Sequence, residues 1–219
     1  KSLIHKLNIK ELKKQTWSFE EQIGCIAHSH DTRFVAGTQN GFCFIDLDNN
    51  KITPIINPEK HLSNNRFNDG KCDNIGRFYS GTMNEIDSTP SGSFYILYND
   101  LSCKKIDGTY VTTNGPTFSP DYKYIYFTDT REGKIFFSAL DKEGLPIEKK
   151  LFISIPSNRG KPDGMTIDEN GSLWVALFGG SRVDCYNFDG KKINEIQLPV
   201  SCVTSCTFGG KNNNDGRKK

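Results

Sequence analysis

The chain lacks any long apolar run. No stretch approaches the roughly 18 residues that a membrane helix needs, so none of these residues reads as a spanning helix. Histidine is scarce: there are four, all at or before His61. That removes a serine hydrolase built on Gly-x-Ser-x-Gly with a histidine downstream. Cysteine occurs seven times but never as Cys-x-x-Cys, so that metal or redox spacing is missing. Helical periodicity is nearly absent. The one candidate helix runs from Leu7 to Lys14, where Leu7, Ile9 and Leu12 do not make an apolar stripe; an extended strand through Lys1-Ser2-Leu3-Ile4 competes with it. A charge excess is lacking too. The net charge is +2, which calls for neither nucleic acid nor an acidic partner. The basic pairs and ends, Lys13-Lys14 and Arg217-Lys218-Lys219, read as solvated.

What is present points to a turn-rich β protein. The hydrophobic fraction, 35%, is low but sufficient for one large domain, and 20 glycines with 15 phenylalanines suit tight turns and aromatic strand positions. Several cysteines sit among alternating apolar residues, as in Phe42-Cys43-Phe44, and read as small buried hydrophobes in a reducing, cytoplasmic compartment. No signal peptide is visible. The chain opens with Lys1 rather than Met, which leaves a preceding segment open. A monomer that meets a small molecule, without membrane or nucleic acid, is the expectation.

The strongest signal is an internal repeat. Arg33-Phe34-Val35-Ala36-Gly37-Thr38 aligns with Arg77-Phe78-Tyr79-Ser80-Gly81-Thr82, with Tyr124-Ile125-Tyr126-Phe127-Thr128-Asp129 and with Ser172-Leu173-Trp174-Val175-Ala176-Leu177, at steps of about 45 residues. A second strand follows each: 41–46, 92–97, 133–138 and 181–186. A third follows in the first and last repeats, at Lys51-Ile52-Thr53 and Ile193-Asn194-Glu195-Ile196. Short strands with turns every 8–12 residues or so argue all-β, and a multi-stranded unit of this length is a propeller blade. Four blades are clear between Gly24 and Pro199. A fifth begins near Cys202-Val203-Thr204-Ser205, and residues 212–219 carry no strand pattern. The expectation is a single β-propeller domain over residues 1–219, either a small ring or an incomplete copy of a larger one.

Three polar signatures recur at one phase of this repeat: Asn68-Asp69-Gly70, Asn114-Gly115 and Pro162-Asp163-Gly164. Singly, each reads as an ordinary turn. Equal phase in a ring, however, means convergence on one point. The equivalent position in the first repeat, Ile23-Gly24, has the glycine without a polar partner, so the backbone needs the glycine and not the amide or carboxylate. Asn and Asp supply oxygens, a set that suits Ca²⁺, Mg²⁺ or Mn²⁺ more than Zn²⁺. Arg66 could grip a hydroxyl, carboxylate or carbonyl, or be an ordinary inter-blade arginine. The rival metal candidate, His28-Ser29-His30, has no third ligand at suitable spacing, and Asp31 reads as a turn residue.

The motif order then becomes specific. Arg66-Phe67-Asn68-Asp69-Gly70-Lys71 is followed by Asp73, Gly76-Arg77 and Gly81-Thr82-Met83. Asn114-Gly115 is followed by Ser119-Pro120-Asp121 and Tyr126-Phe127-Thr128-Asp129. Pro162-Asp163-Gly164-Met165 precedes Gly171, Leu173-Trp174-Val175-Ala176 and Cys206-Thr207-Phe208-Gly209-Gly210-Lys211. From about Gly24 to Lys211 this resembles the gluconolactonase/luciferin-regenerating-enzyme family. The resemblance implies an all-β, six-bladed β-propeller type, with about four complete blades in this chain, and one divalent metal ion (Ca, Zn, Mn or Mg) on the axis. It makes Asn114 and Asp163 metal ligands, Asp163 also the catalytic acid/base, and Arg66 and Asn68 substrate-positioning residues. The implied reaction is hydrolysis of small sugar or aldonic lactones: the metal would polarise the carbonyl, and Asp163 would take a proton from water and return one to the leaving alkoxide.

Two departures qualify the resemblance. The family's Gly-Glu-Gly-Pro motif, which carries a third ligand, is absent, and Glu20-Glu21 lies in another context. Ile86, flanked by Glu85 and Asp87, stands where a substrate-contacting glutamate is expected. Fewer anionic ligands weaken a hard-cation site. The alternative reading is a non-catalytic calcium-binding regulator or a degenerate propeller scaffold.

Overall fold

The computed structural model describes residues 2–29, 32–86, 88–209 and 215–217. Lys1, His30, Asp31, Asp87, residues 210–214 and Lys218-Lys219 lie outside them, and with them parts of the His28-Ser29-His30 and Cys206–Lys211 motifs. A hairpin, β1 (Ser2–Asn8) and β2 (Lys13–Phe19), opens the chain. Four antiparallel four-stranded meanders follow in sequence order: β3 (Ile23–His28), β4 (Arg33–Thr38), β5 (Gly41–Asp46), β6 (Lys51–Ile56); β7 (Asn65–Cys72), β8 (Phe78–Asn84), β9 (Gly92–Leu97), β10 (Cys103–Tyr110); β11 (Thr113–Phe118), β12 (Tyr124–Asp129), β13 (Lys134–Ala139), β14 (Lys150–Ser154); and β15 (Lys161–Ile167), β16 (Leu173–Phe178), β17 (Arg182–Tyr186), β18 (Lys192–Gln197). A short pair, β19 (Thr207–Gly209) and β20 (Asp215–Arg217), ends the described residues. The only helical turn among them is a 3₁₀ turn over Ser157–Arg159.

The aromatic repeats form the second strand of each meander, β4, β8, β12 and β16. The candidate helix over Leu7–Lys14 is instead the end of β1, a turn and the start of β2, whose residues pair Leu7 with Lys14 and Asn8 with Lys13. Two other expectations shift. Residues 203–206 are not a strand, and pairing resumes only at Thr207. The tail does contribute a strand, β20, which pairs with β19.

The first strands β3, β7, β11 and β15 pack side by side, and β15 meets β19. Each meander therefore has a neighbour on both faces, so the core lies in layers between sheets rather than at one centre. Phe42, Phe67, Phe78 and Tyr95 fill the layer between the first two meanders, with the Phe42 and Phe67 rings 4.2 Å apart. Tyr79, Phe94, Tyr110, Phe118 and Phe127 fill the next, and Tyr126, Ile135, Leu173, Val175 and Leu177 the third. Ile4 and Phe19 of the opening hairpin pack on Ala36, Cys43 and Ile45. Each such aromatic contributes roughly 1.5–3 kcal/mol by leaving water. Burial on both faces explains why β9 is buried at every position, while the fourth strands β6, β14 and β18 are largely exposed.

Candidate functional site

The three polar signatures are not turns. They lie inside β7, β11 and β15, where the register against the second strand slips: between Phe67 and Gly70, Asn114 and Thr117, Pro162 and Met165. β3 slips at the same place, between Ile23 and Cys25. A bulge adds a residue to one strand and re-aims its side chains. Four equivalent bulges in four adjacent strands turn side chains at the same end of each sheet toward one cleft of about 830 Å³. The glycines follow from crowding there. A β-carbon on Gly24 would lie 2.3 Å from the Phe67 carbonyl oxygen, and Gly115 has φ of +73°.

Arg66, Asn68, Asp69, Asn114 and Asp163 all line this cleft. Asn68 ties two meanders together: its Nδ2 donates to the Thr113 carbonyl at 2.8 Å and to Asn114 Oδ1 at 3.0 Å. The buried Asn114 donates through Nδ2 to Thr130 Oγ1 at 2.9 Å, which leaves its Oδ1 on the Asn68 side. Arg66 donates through Nη1 to Asn68 Oδ1 and to the Phe67 carbonyl, both at 3.0 Å, and through Nε to Glu85 Oε1 at 3.1 Å. Asp69, which lines the cleft, and Glu85, which pairs with Arg66 from outside its lining, are the residues that sequence reasoning did not assign. Asp69 was visible inside its signature; Glu85 had no signal beyond its place after Gly-Thr-Met. Ile86 is 73% exposed and does not line the cleft.

Two carboxylates share the cleft. Asp69 accepts from the Gly70 N–H at 2.8 Å and the Gly115 N–H at 3.1 Å. Burial pushes it up to about 6, against the pull of Gly70, Lys71 and Gly115. Asp163 accepts from the Gly164 N–H at 2.9 Å. Burial pushes it up to about 7; Gly164 opposes the shift and the charge of Asp69 adds to it. Behind them the half-buried Lys71 donates to Thr117 Oγ1 at 3.2 Å and the Met165 carbonyl at 3.3 Å, its pKa lowered by desolvation and partly restored by Asp69.

The acidic and amide side chains of the cleft offer oxygens, and among the described residues that line it there is no His or Cys. In kind they fit a hard divalent cation, and two acidic side chains raised by burial are what a cation would relieve. In number they stop short of a closed acidic cage: no group of three His, Cys, Asp or Glu converges among the described residues. Glu21 does not supply the difference. It accepts from Thr38 Oγ1 and from the Asn40 N–H at 2.9 Å, within its own meander. His28 lies elsewhere, edge-on to Phe34 with ring centroids 5.5 Å apart, and its partner His30 is outside the described residues.

Adjacent antiparallel meanders joined through their first strands, with a polar cleft where those strands meet, define a β-propeller-type protein. The family model described as the SMP-30/Gluconolactonase/LRE-like region matches residues 1–215, and the chain belongs to that family. The chain is 35% identical to regucalcin of Xenopus laevis over 90% of its own length and 69% of the relative's. It is 28% identical to a 6-deoxy-6-sulfogluconolactonase of Pseudomonas putida, over 94% and 72%. An uncharacterized Sulfolobus acidocaldarius protein is 39% identical over 79% of this chain, which spans 63% of that relative. Among solved structures, luciferin-regenerating enzyme superposes with a TM-score of 0.90 at 29% identity, covering 96% of this chain and 74% of that one. Regucalcin from Agrobacterium tumefaciens, described as a calcium-binding protein, also gives 0.90, at 27% identity over 95% and 71%.

Proposed function

We propose that this chain is a lactone hydrolase of the gluconolactonase type. Its four meanders are read as four blades of a ring of six, and residues 1–219 as one propeller domain. The observation that carries the reading is the convergence of Arg66, Asn68, Asp69, Asn114 and Asp163, from three successive repeats, on one cleft. Family membership supplies the reaction class, and seven free cysteines fit a reducing compartment such as the cytoplasm.

Asn114 Oδ1 and the Asp163 carboxylate would hold one divalent cation, with Asp69 as a second negative charge nearby. Bound there, a divalent ion supplies positive charge against the oxygen of a lactone carbonyl as it becomes anionic. The chain's own residues do the rest. Arg66 would donate through Nη2 to a hydroxyl of a polyhydroxylated ring, and Asn68, whose Nδ2 is engaged by Thr113 and Asn114, would accept from one through Oδ1. The Asn68–Asn114 bond couples that grip to the neighbouring blade. Asp163 is the general base: burial raises its carboxyl to about 7 without a cation, and a bound cation would favour the carboxylate that accepts the proton. It takes a proton from the attacking water and returns it to the ring oxygen as the ester bond opens. Burial of the cleft floor keeps bulk water from competing.

Acid release from gluconolactone in a pH-stat, with Ca²⁺, Mn²⁺ or Zn²⁺ added to chelator-treated protein, tests this. Turnover should require the cation, and Asp163→Ala should lower kcat by about 10²-fold or more. An unchanged rate in that variant sinks the reading. Tight cation binding without turnover would favour the non-catalytic calcium-binding alternative.

A further inference from the structure

Behind the cleft wall lies a buried carboxylate without a counter-ion. Glu59 is 5% exposed and sits in the connection from β6 to β7. Two other buried acids, Asp73 and Asp184, are ion-paired with Arg77 and Arg159. Among the described residues Glu59 is met only by neutral donors. Its Oε2 accepts from Asn65 Nδ2 at 2.8 Å, and its Oε1 accepts from Thr82 Oγ1 at 3.0 Å and from the Tyr95 hydroxyl at 2.9 Å. These donors stand on three successive strands, β7, β8 and β9. The connection is itself fixed: the Glu59 N–H donates to Asn57 Oδ1 at 2.9 Å, and the Leu62 N–H to the Glu59 carbonyl at 2.7 Å. Burying an acid among neutral partners is costly, so a carboxylate at this place needs a reason.

We propose that Glu59 is a positioning residue for the candidate site: it locks the cleft ends of β7 and β8 together and so fixes where Arg66 and Asn68 stand. The proposal rests on the reading of those two as ligand-positioning residues. Glu59 itself does not line the cleft and acts through its neighbours. Asn65 directly precedes Arg66, and Thr82 directly precedes Met83. Arg66 and Met83 pair across β7 and β8, and both line the cleft. From Thr82 the network crosses into the third meander. Thr113 Oγ1 donates to the Thr82 carbonyl at 2.9 Å, and the Thr113 carbonyl accepts from Asn68 Nδ2 at 2.8 Å. Thr82 and Thr113 are buried, so water does not compete for these bonds. A carboxylate suits the hub because it only accepts, and its two oxygens can take three donors set by three strands. An apolar side chain of the same size would fill the space but leave an amide and two hydroxyls unpaired. The strand ends would then move to satisfy them, and Arg66 and Asn68 with them.

Steady-state kinetics with gluconolactone and amide hydrogen exchange, read by mass spectrometry on chelator-treated protein, test this together. Glu59→Leu should raise KM about tenfold with kcat near wild type, because Asp163 keeps its place while the ligand grip is displaced. Glu59→Gln should restore KM, since its oxygen can accept from Asn65 while its amide donates to the two hydroxyls, which turn to receive it. In Glu59→Leu, exchange should quicken in peptides covering β7, β8 and the start of β11, and stay at the wild-type rate in β16 and β17. If Glu59→Leu does not fold, Asn65→Ala cuts the link to β7 alone and carries the same expectation. An unchanged KM in a folded variant overturns the proposal. So does exchange that quickens equally in all four meanders, since that gives Glu59 a part in global stability only. Wild type inert toward every lactone would remove the hydrolase reading and leave the exchange pattern to decide this one.

Discussion

At the scale of single residues, burial decides reactivity. Cys25 packs against Ser80 Oγ at 3.2 Å, and burial pushes its thiol up to about 12, with the charge of Asp69 adding to the shift. Cys43 is pushed up to about 12 as well, mainly by burial. Cys202 is exposed. The thiolate is the nucleophile, so a raised pKa and a closed shell both silence a cysteine. At pH 8 a maleimide or disulfide reagent should therefore label Cys202 first and leave Cys25 and Cys43 untouched until denaturant is added. Mass spectrometry of the labelled peptides checks this; early labelling of Cys25 would contradict its burial. The alternation in Phe42-Cys43-Phe44 already pointed to cysteine as a core residue. It could not rank the seven thiols, because rank depends on which neighbouring sheet covers each one.

At the scale of elements, the first strand of each meander is the part the sequence hid. The second strands were legible to within a residue or two, since their aromatic and β-branched runs are local patterns. The first strands carry Asn-Asp-Gly, Asn-Gly and Pro-Asp-Gly, which in isolation read as turns. They are strands because the sheets on either side bury them, and they bulge because their glycines let neighbouring backbones approach closely. Gly24 is the sharpest case. Its added β-carbon would meet the Phe67 carbonyl oxygen at 2.3 Å and that of Asn68 at 2.6 Å, both backbone atoms with no rotamer to yield. Gly24→Ala should cost about 1–3 kcal/mol, read as a lower urea midpoint at unchanged m-value. An unshifted midpoint would mean that β3 and β7 do not pack at this distance. Over Leu7–Lys14 the sequence offered only a poor helix candidate beside a competing strand, and the strand formed: Ile4 and Phe19 face the first meander as a hairpin.

At the scale of the whole molecule, binding and folding are linked. The candidate cation site draws on strands from different meanders, β11 and β15, and leans on β7 through Asn68. Such a site exists only when these sheets are packed together, so a ligand for it stabilises the packed state alone. Adding Ca²⁺ to chelator-treated protein at about 100 times its Kd should raise stability by roughly 2.7 kcal/mol, seen as a higher melting temperature. Asp163→Ala should abolish that increment. An increment that survives in the variant would place the cation elsewhere.

The sequence by itself determined the strand content, the repeat of about 45 residues and the common phase of the three signatures, because each is written in neighbouring positions along one chain. It also brought Arg66, Asn68, Asn114 and Asp163 into one register and, through motif order, into one family. Only the tertiary structure decided that the signatures are bulges, that Asp69 is half-buried and its charge acts on Asp163, and that Glu85 reaches Arg66. Those facts depend on which strand lies against which, and on how closely. They are set by packing between segments far apart in sequence, where local pattern carries no information.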